Sequence, residues 1–232
     1  MLAWMVQKQT ANACTGERMV RRTKEDAEAT RNKLLDAAQA VFHAKGVAGA
    51  SLAEVAQQAA LTRGAIYWHF KDKADLFDAL MQRTTLPFEQ AWAAVQAASK
   101  ESSCALDGIL RVLRMVLCSV STDASTRQVF DIALYKTECV GETRAVRKRR
   151  IVAAERFTHQ MEKELALVAR QMEVELPVTA AIAARGLHAV FDGVLHSWLL
   201  HEGEPFDLVD VGMQTVYVYL RGLGLCSGKE IL

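Results

Sequence analysis

SLAEVAQQAALTRGAIYWHFKDK, residues 51–73, is the stretch on which the reading of the whole chain turns. It opens with Ser51 and Glu54 in the S-x-x-E spacing of a capping box. Leu52, Val55, Ala56 and Ala59 follow at helical spacing, which predicts a short, alanine-rich helix. Leu61 is the apolar residue of a tight turn, and Thr62 is the N-cap of a next helix, Arg63 to Phe70. Projected at helical pitch, Ile66 and Phe70 share one side. Gly64 and Trp68 point the other way, with Tyr67 and His69 on the flanks. A helix serving structure alone rarely leaves a tryptophan on its outer face. The two helices are predicted as a helix-turn-helix.

The residue types in this unit suit DNA. A helix N-terminus presents unpaired N–H groups and partial positive charge, which favour phosphate. Ser51 and Thr62 stand at two such ends and Lys73 near a third. Gly64 and Ala65 are small, so the second helix can approach base edges, and Arg63 can pair with guanine in the major groove. Tyr67 and His69 can donate to phosphates, and Trp68 can pack on sugar or thymine methyls. Upstream, Arg22 and Lys24 belong to a basic-first segment that can follow a phosphate backbone. The competing reading is a helical hairpin whose aromatics fill a core.

Around this unit the chain reads as all-α. Of its 232 residues only three are proline, β-branched runs are short, and no hairpin dipeptide joins alternating strands. The formal net charge of +1 excludes a uniformly basic nucleic-acid binder but not a basic patch at one end. The five cysteines are odd in number and contain no C-x-x-C pair, so neither a disulfide framework nor a zinc site is expected, and a reducing cytoplasm is. No apolar run is long enough for a membrane span. Residues 1–18 lack the apolar core of a signal peptide, and Met19-Val20-Arg21-Arg22 has the look of an alternative start. These eighteen residues are expected to be a disordered extension.

About nine helices are expected, divided between a head over residues 19–80 and a larger body over 81–232. The first helix is read over about Ala27 to Ala44, with Leu34, Leu35, Ala38, Val41 and Phe42 in one stripe and Gly46 as its left-handed stop. A fourth starts at Asp72 to Asp75 and is expected to continue through Trp92 and Val95 as a long connecting helix, with a kink or break at Pro87. Leu106 to Val120, Thr126 to Cys139, Glu142 to Met172, Val178 to Leu200 and Phe206 to Leu223 complete the set.

The run Thr30-Arg31, Leu34-Leu35-Asp36-Ala37-Ala38, Phe42, Gly46-Val47, Ser51 to Ala56, Leu61 to Lys73 and Asp75-Leu76-Phe77 resembles the DNA-binding head of the TetR family of transcriptional repressors. Thr62 to Lys71, TRGAIYWHFK, is similar to the AcrR/TtgR branch, which represses multidrug efflux pump operons. So, over shorter stretches, are Tyr135 to Glu142, Ser197-Trp198-Leu199 and Phe206-Asp207-Leu208. The resemblance implies a homodimer with two heads in successive major grooves of a palindromic operator, about 34–36 Å apart. It also implies a body that binds a small apolar molecule, a four-helix bundle formed by the last two helices of each subunit, and a fourth helix that moves as a lever when ligand binds.

The body has more apolar helix than stability alone needs. Val178 to Leu200 and Val209 to Leu223 are candidates for an interface between subunits, the alternative being plain buried core. Asp131, Tyr135 and Glu138 fall on one helix face and suit a cationic, apolar inducer, though solvated carboxylates give the same pattern. Phe88, Trp92, Met115, Val190 and Phe191 are candidate apolar lining. His188, Asp192 and His196 stand at i, i+4 and i+8, but without a fourth ligand a polar seam is preferred to a metal site, and no cofactor is expected. The basic run Arg144 to Arg150 is read as a solvated face. No nucleophile elbow or phosphate loop points to catalysis. The rival to a ligand-responsive repressor is an architectural DNA-binding protein that needs no ligand.

Overall fold

The computed structural model describes residues 3–99, 105–137, 144–201 and 206–226. Side chains are described from Lys24 onward, apart from 95–96, 98–99, 144–147, 149–150 and 153. Within these residues the chain forms α1 (Ala3–Gly49), α2 (Leu52–Gln58), α3 (Arg63–His69), α4 (Lys73–Ser99), α5 (Ala105–Thr122), α6 (Ala124–Tyr135), α7 (Arg144–Gln171), α8 (Ala180–Leu200) and α9 (Leu208–Gly222), with no strand.

Residues 1–18 were expected to lack regular structure, yet α1 is helical from Ala3. The segment contains three alanines and no proline, so it lacks the strongest helix breaker. Pro87 does not break α4, which runs through it to Ser99. Pro87 itself lies on the exposed side of the helix. The left-handed stop at Gly46 is present: φ is +71° and ψ 163°, a region that glycine alone occupies freely.

Two apolar cores result. In the head, α1 supplies Leu34, Leu35, Ala38 and Phe42, α2 supplies Val55 and Ala56, α3 supplies Ile66, and α4 supplies Leu76, Phe77 and Leu80. The Phe42 and Phe77 rings meet at 6.4 Å, tilted by 52°. Full burial of each such side chain stabilises by roughly 1.5–3 kcal/mol. This core also takes Val129, Ile132 and Ala133 from α6, well outside residues 19–80. The head is thus completed by a body helix.

The second core joins α5 (Ile109, Leu113, Leu117), α7 (Met161, Leu165, Val168), α8 (Leu187, Phe191, Trp198) and α9 (Met213, Val216, Leu220). α6, α8 and α9 start on local caps. Asp123 accepts from Ser125 and Thr126 N–H, Thr179 from Ile182, and Asp207 from Val209 and Asp210. Trp198 fixes the α8–α9 connection by donating from Nε1 to the Phe206 carbonyl at 3.0 Å. The Arg127 guanidinium lies 4.7 Å over the Trp198 ring. No helix among the described residues is long and apolar enough to cross a membrane.

Candidate nucleic-acid interface

The head's recognition unit is built by its caps. Ser51 accepts from the Glu54 N–H at 3.2 Å, and the Glu54 carboxylate accepts from the Ser51 N–H at 2.9 Å and its hydroxyl at 2.8 Å. The capping box is complete. Lys45, at 2.5 Å, and Ser51 hold the Glu54 carboxyl down to about 2. The turn to α3 is made by Ala60 at φ +54°, a left-handed position usually given to glycine. Thr62 Oγ1 then accepts from the Ala65 N–H at 3.2 Å and starts α3.

On α3 the predicted sidedness holds. Ile66 and Phe70 are buried, whereas Tyr67 is 61% and Trp68 74% exposed. Arg63 and Gly64 are exposed beside them, and Ala65 is half-buried. A Cβ built on Gly64 would approach nothing closer than Thr62 Oγ1, at 3.8 Å, so its small size leaves the outer face of the helix clear. His69 is half-buried, with its ring edge-on to Trp68 at 4.6 Å. Burial first, then the charge of Arg31, pushes its pKa down, so near neutral pH it is a neutral imidazole with one N–H to donate. Arg31 was not among the predicted contacts. It lies 5.3 Å over the Phe70 ring, which places a guanidinium at the end of the recognition helix. Only its position within the head motif singled it out in the sequence.

Two predicted phosphate contacts read differently in three dimensions. The hydroxyl hydrogen of Ser51 goes to Glu54, and that ionised carboxylate occupies the N-terminus of α2 in place of an outside anion. Lys73 donates to the carbonyls of Ala48 and Ala50, both at 2.9 Å, so two of its three hydrogens tie α4 to the end of α1. Thr62 is exposed, and its hydroxyl oxygen accepts from Ala65. Lys24 is exposed on α1, and the Arg22 side chain falls outside the described residues.

The predicted ligand residues do not converge on one site. Trp92 and Phe191 pack in the body core. The Trp92 Nε1–H is buried without a partner. Phe88, Met115 and Val190 are half-buried on α4, α5 and α8. Asp131 faces the head, 3.2 Å from Lys136 Nζ and 3.4 Å from His43 Nε2, because the α6 face that carries it packs on α1. Tyr135 donates to the His196 carbonyl at 2.7 Å. Burial first, then Asp131 and Asp192, pushes its pKa up and keeps it a donor. Glu138 lies outside the described residues. The helix-face triplet on α8 separates, His188 lying against Phe157 and His196 against Tyr135. Among the described residues no group of three such side chains could hold a metal. A hollow of about 530 Å³ lies between the end of α7 and the start of α8, lined by Ala169, Arg170, Val174, Leu176 and Val178 among others, and includes none of the eight predicted residues.

Comparison with known proteins agrees with this geometry. The profile of bacterial regulatory proteins of the tetR family matches residues 34–80, and that of the MAATS-type transcriptional repressor C-terminal region matches residues 105–224. The chain is 34% identical over 182 residues to the HTH-type transcriptional regulator TtgR of Pseudomonas putida, covering 78% of this chain and 86% of TtgR. It is 34% identical over 212 residues to AcrR of Shigella flexneri, covering 90% of this chain and 95% of AcrR. Among solved structures, the SmeT–triclosan complex superposes with a TM-score of 0.76 at 31% identity, over 88% of this chain and 97% of that one. SmeT is the repressor of the Stenotrophomonas maltophilia multidrug efflux pump SmeDEF.

Proposed function

The chain belongs to the TetR family of bacterial regulatory proteins, and from that premise we propose that it represses a multidrug efflux pump operon and leaves its operator when a small molecule binds the body. The observation that carries the reading is α3 itself. It is a capped helix with Arg63, Tyr67 and Trp68 exposed on its outer face while its inner face closes the head's core. Such a helix, with a small N-terminal turn at Gly64 and Ala65, fits a major groove. The operator is double-stranded and palindromic, and the protein acts in the cytoplasm, where that DNA is.

Palindromic recognition needs a C₂ dimer. The face for it is on α8 and α9, where Ile182 (56%), Leu200 (68%) and Val218 (63%) are exposed. A Cβ at Gly193, on the same side of α8, would meet nothing within 4 Å. An apolar strip with a small residue in the middle lets a second copy approach closely. For the inducer, the buried Trp92 N–H without a partner supports an apolar molecule that carries an acceptor oxygen. Relatives named as pump repressors, and SmeT as a triclosan complex, support the same class.

Repression and induction are one linkage. The inducer releases the operator only by binding the non-operator conformation more tightly, and a coupling of about 1–3 kcal/mol is typical. Fluorescence anisotropy with duplexes cut from the DNA upstream of the gene is the test. The protein is expected to prefer one palindrome strongly over random duplex and to lose about 5- to 150-fold in affinity with triclosan. Arg63→Ala should relax the sequence preference. Equal binding to all duplexes, with no response to ligand, would instead identify an architectural protein. Lys73→Ala does not isolate a phosphate contact, because it also cuts the tie to Ala48 and Ala50.

A further inference from the structure

The body holds the head through a polar joint at the broken end of α1. Gly46 turns the chain out of helical geometry, which leaves the groups flanking the break without in-helix partners. A helix end is normally capped by residues next to it in sequence. Here two of these groups are capped by one residue from the far side of the chain. The main-chain oxygen of Lys136, at the C-terminal cap of α6, accepts from the Val47 N–H at 2.8 Å. Its ammonium donates to the His43 carbonyl, also at 2.8 Å, across 93 residues of sequence.

The joint extends beyond that pair. Asp131 lies between Lys136 and His43, at 3.2 and 3.4 Å, and steadies the ammonium. One turn back along α1, the buried Gln39 donates to Gln128 at 3.0 Å and accepts from the Ser125 hydroxyl at 3.1 Å. A Cβ at position 46 would stand 3.2 Å from the Lys136 oxygen, so α6 approaches α1 as closely as glycine allows. The apolar side of the contact is the set of α6 side chains in the head's core. Gln39, His43 and Gly46 form one stripe along α1, and that stripe is bonded to a body helix.

We propose that Lys136 is a positioning residue for DNA recognition: by capping the broken end of α1 from α6, it sets the tilt of the head on the body and hence the separation of the two heads in the dimer. Movement of α6 then reaches the head directly through α1, beside any motion of α4. This rests on the reading of the chain as a dimeric operator-binding protein.

The experiment measures spacing preference. Half-sites selected by the wild-type protein from a random duplex pool are placed in palindromes whose separation is shortened or lengthened by one base pair. The full-length wild type is expected to favour one spacing by about tenfold, the weight of one charge-assisted hydrogen bond. Lys136→Met keeps the stem and the main-chain oxygen but removes the ammonium. It should bring affinities at the three spacings to within about threefold of one another, and Lys136→Arg should restore the preference, since a guanidinium can still donate to the His43 carbonyl. A wild-type spacing profile in Lys136→Met overturns the proposal. So does an equal loss at every spacing with an unchanged unfolding midpoint, which would mark a role in affinity alone. If Lys136→Met does not fold, Lys136→Gln, which removes the charge and shortens the reach to the His43 carbonyl, takes its place, and an unbroadened profile there overturns the proposal as well. A wild type that binds no duplex would instead refute the operator-binding premise.

Discussion

Gly186→Ala is a sharp test of how α8 and α9 pack. Gly186 sits inside α8 with ordinary helical geometry, so propensity alone predicts that alanine would stabilise the helix by about 1 kcal/mol. Packing predicts the opposite. A Cβ there would lie 2.1 Å from the Tyr219 hydroxyl, 2.7 Å from its Cζ and 3.0 Å from its Cε2. Tyr219 cannot move away freely, because its hydroxyl donates to the Ala183 carbonyl at 2.9 Å, one turn earlier on α8. Displacing the ring loses that bond, about 0.5–1.5 kcal/mol. Overpacking adds about 1–3 kcal/mol. Against the propensity gain, the net is a destabilisation of about 0.5–3.5 kcal/mol. Urea unfolding followed by circular dichroism, at several protein concentrations to separate folding from association, measures it. In a Tyr219→Phe background the 2.1 Å contact disappears and the nearest atom is Cζ, so the cost of Gly186→Ala should shrink by about 0.5–3 kcal/mol of coupling. A Gly186→Ala protein more stable than wild type, or a cost independent of the Tyr219 hydroxyl, would refute this account.

Other consequences follow from the same contacts. Glu54, held at about 2 by Lys45 and Ser51, contributes stability that is fully present above its ordinary value of 4.5 and is lost as pH falls through about 2. In Glu54→Gln, acid titration of the unfolding midpoint should therefore show a smaller loss between those values. Gly46→Ala should destabilise by about 1–3 kcal/mol in thermal melts, because alanine is strained at φ +71°, ψ 163° and its Cβ presses on the Lys136 oxygen. Trp68→Ala removes an exposed ring, so its unfolding free energy should stay within about 0.5 kcal/mol of wild type while operator affinity measured by anisotropy falls. Val218→Asp should shift the protein toward monomer in sedimentation velocity, and an unchanged dimer would move the interface off α9.

What could be read from the sequence was whatever is decided within about one helical turn. The capping box at Ser51 and Glu54, the Thr62 cap, the burial of Ile66 and Phe70, the exposure of Trp68 and the stop at Gly46 all depend on neighbours at i+3 or i+4, and all are found. Local logic reached less far at Pro87, where α4 continues unbroken to Ser99, and in the first residues, where α1 is helical from Ala3. Periodicity placed Asp131 and Tyr135 on one side of α6, but it could not say what that side faces. Asp131 meets Lys136 and His43 of the joint, and Tyr135 meets His196.

Lys73 shows the same division. Its place at a helix start was legible, whereas the carbonyls of Ala48 and Ala50 that hold it depend on how α4 docks against the end of α1. Fold class, helix ends and the recognition face are thus local properties of this chain, because caps and stripes involve residues a few positions apart. The union of head and body belongs to the tertiary structure. Hydrogen bonds between His43, Val47 and Lys136 require two helices to meet at one rotation and one axial offset, and the packing of all the others sets those two quantities.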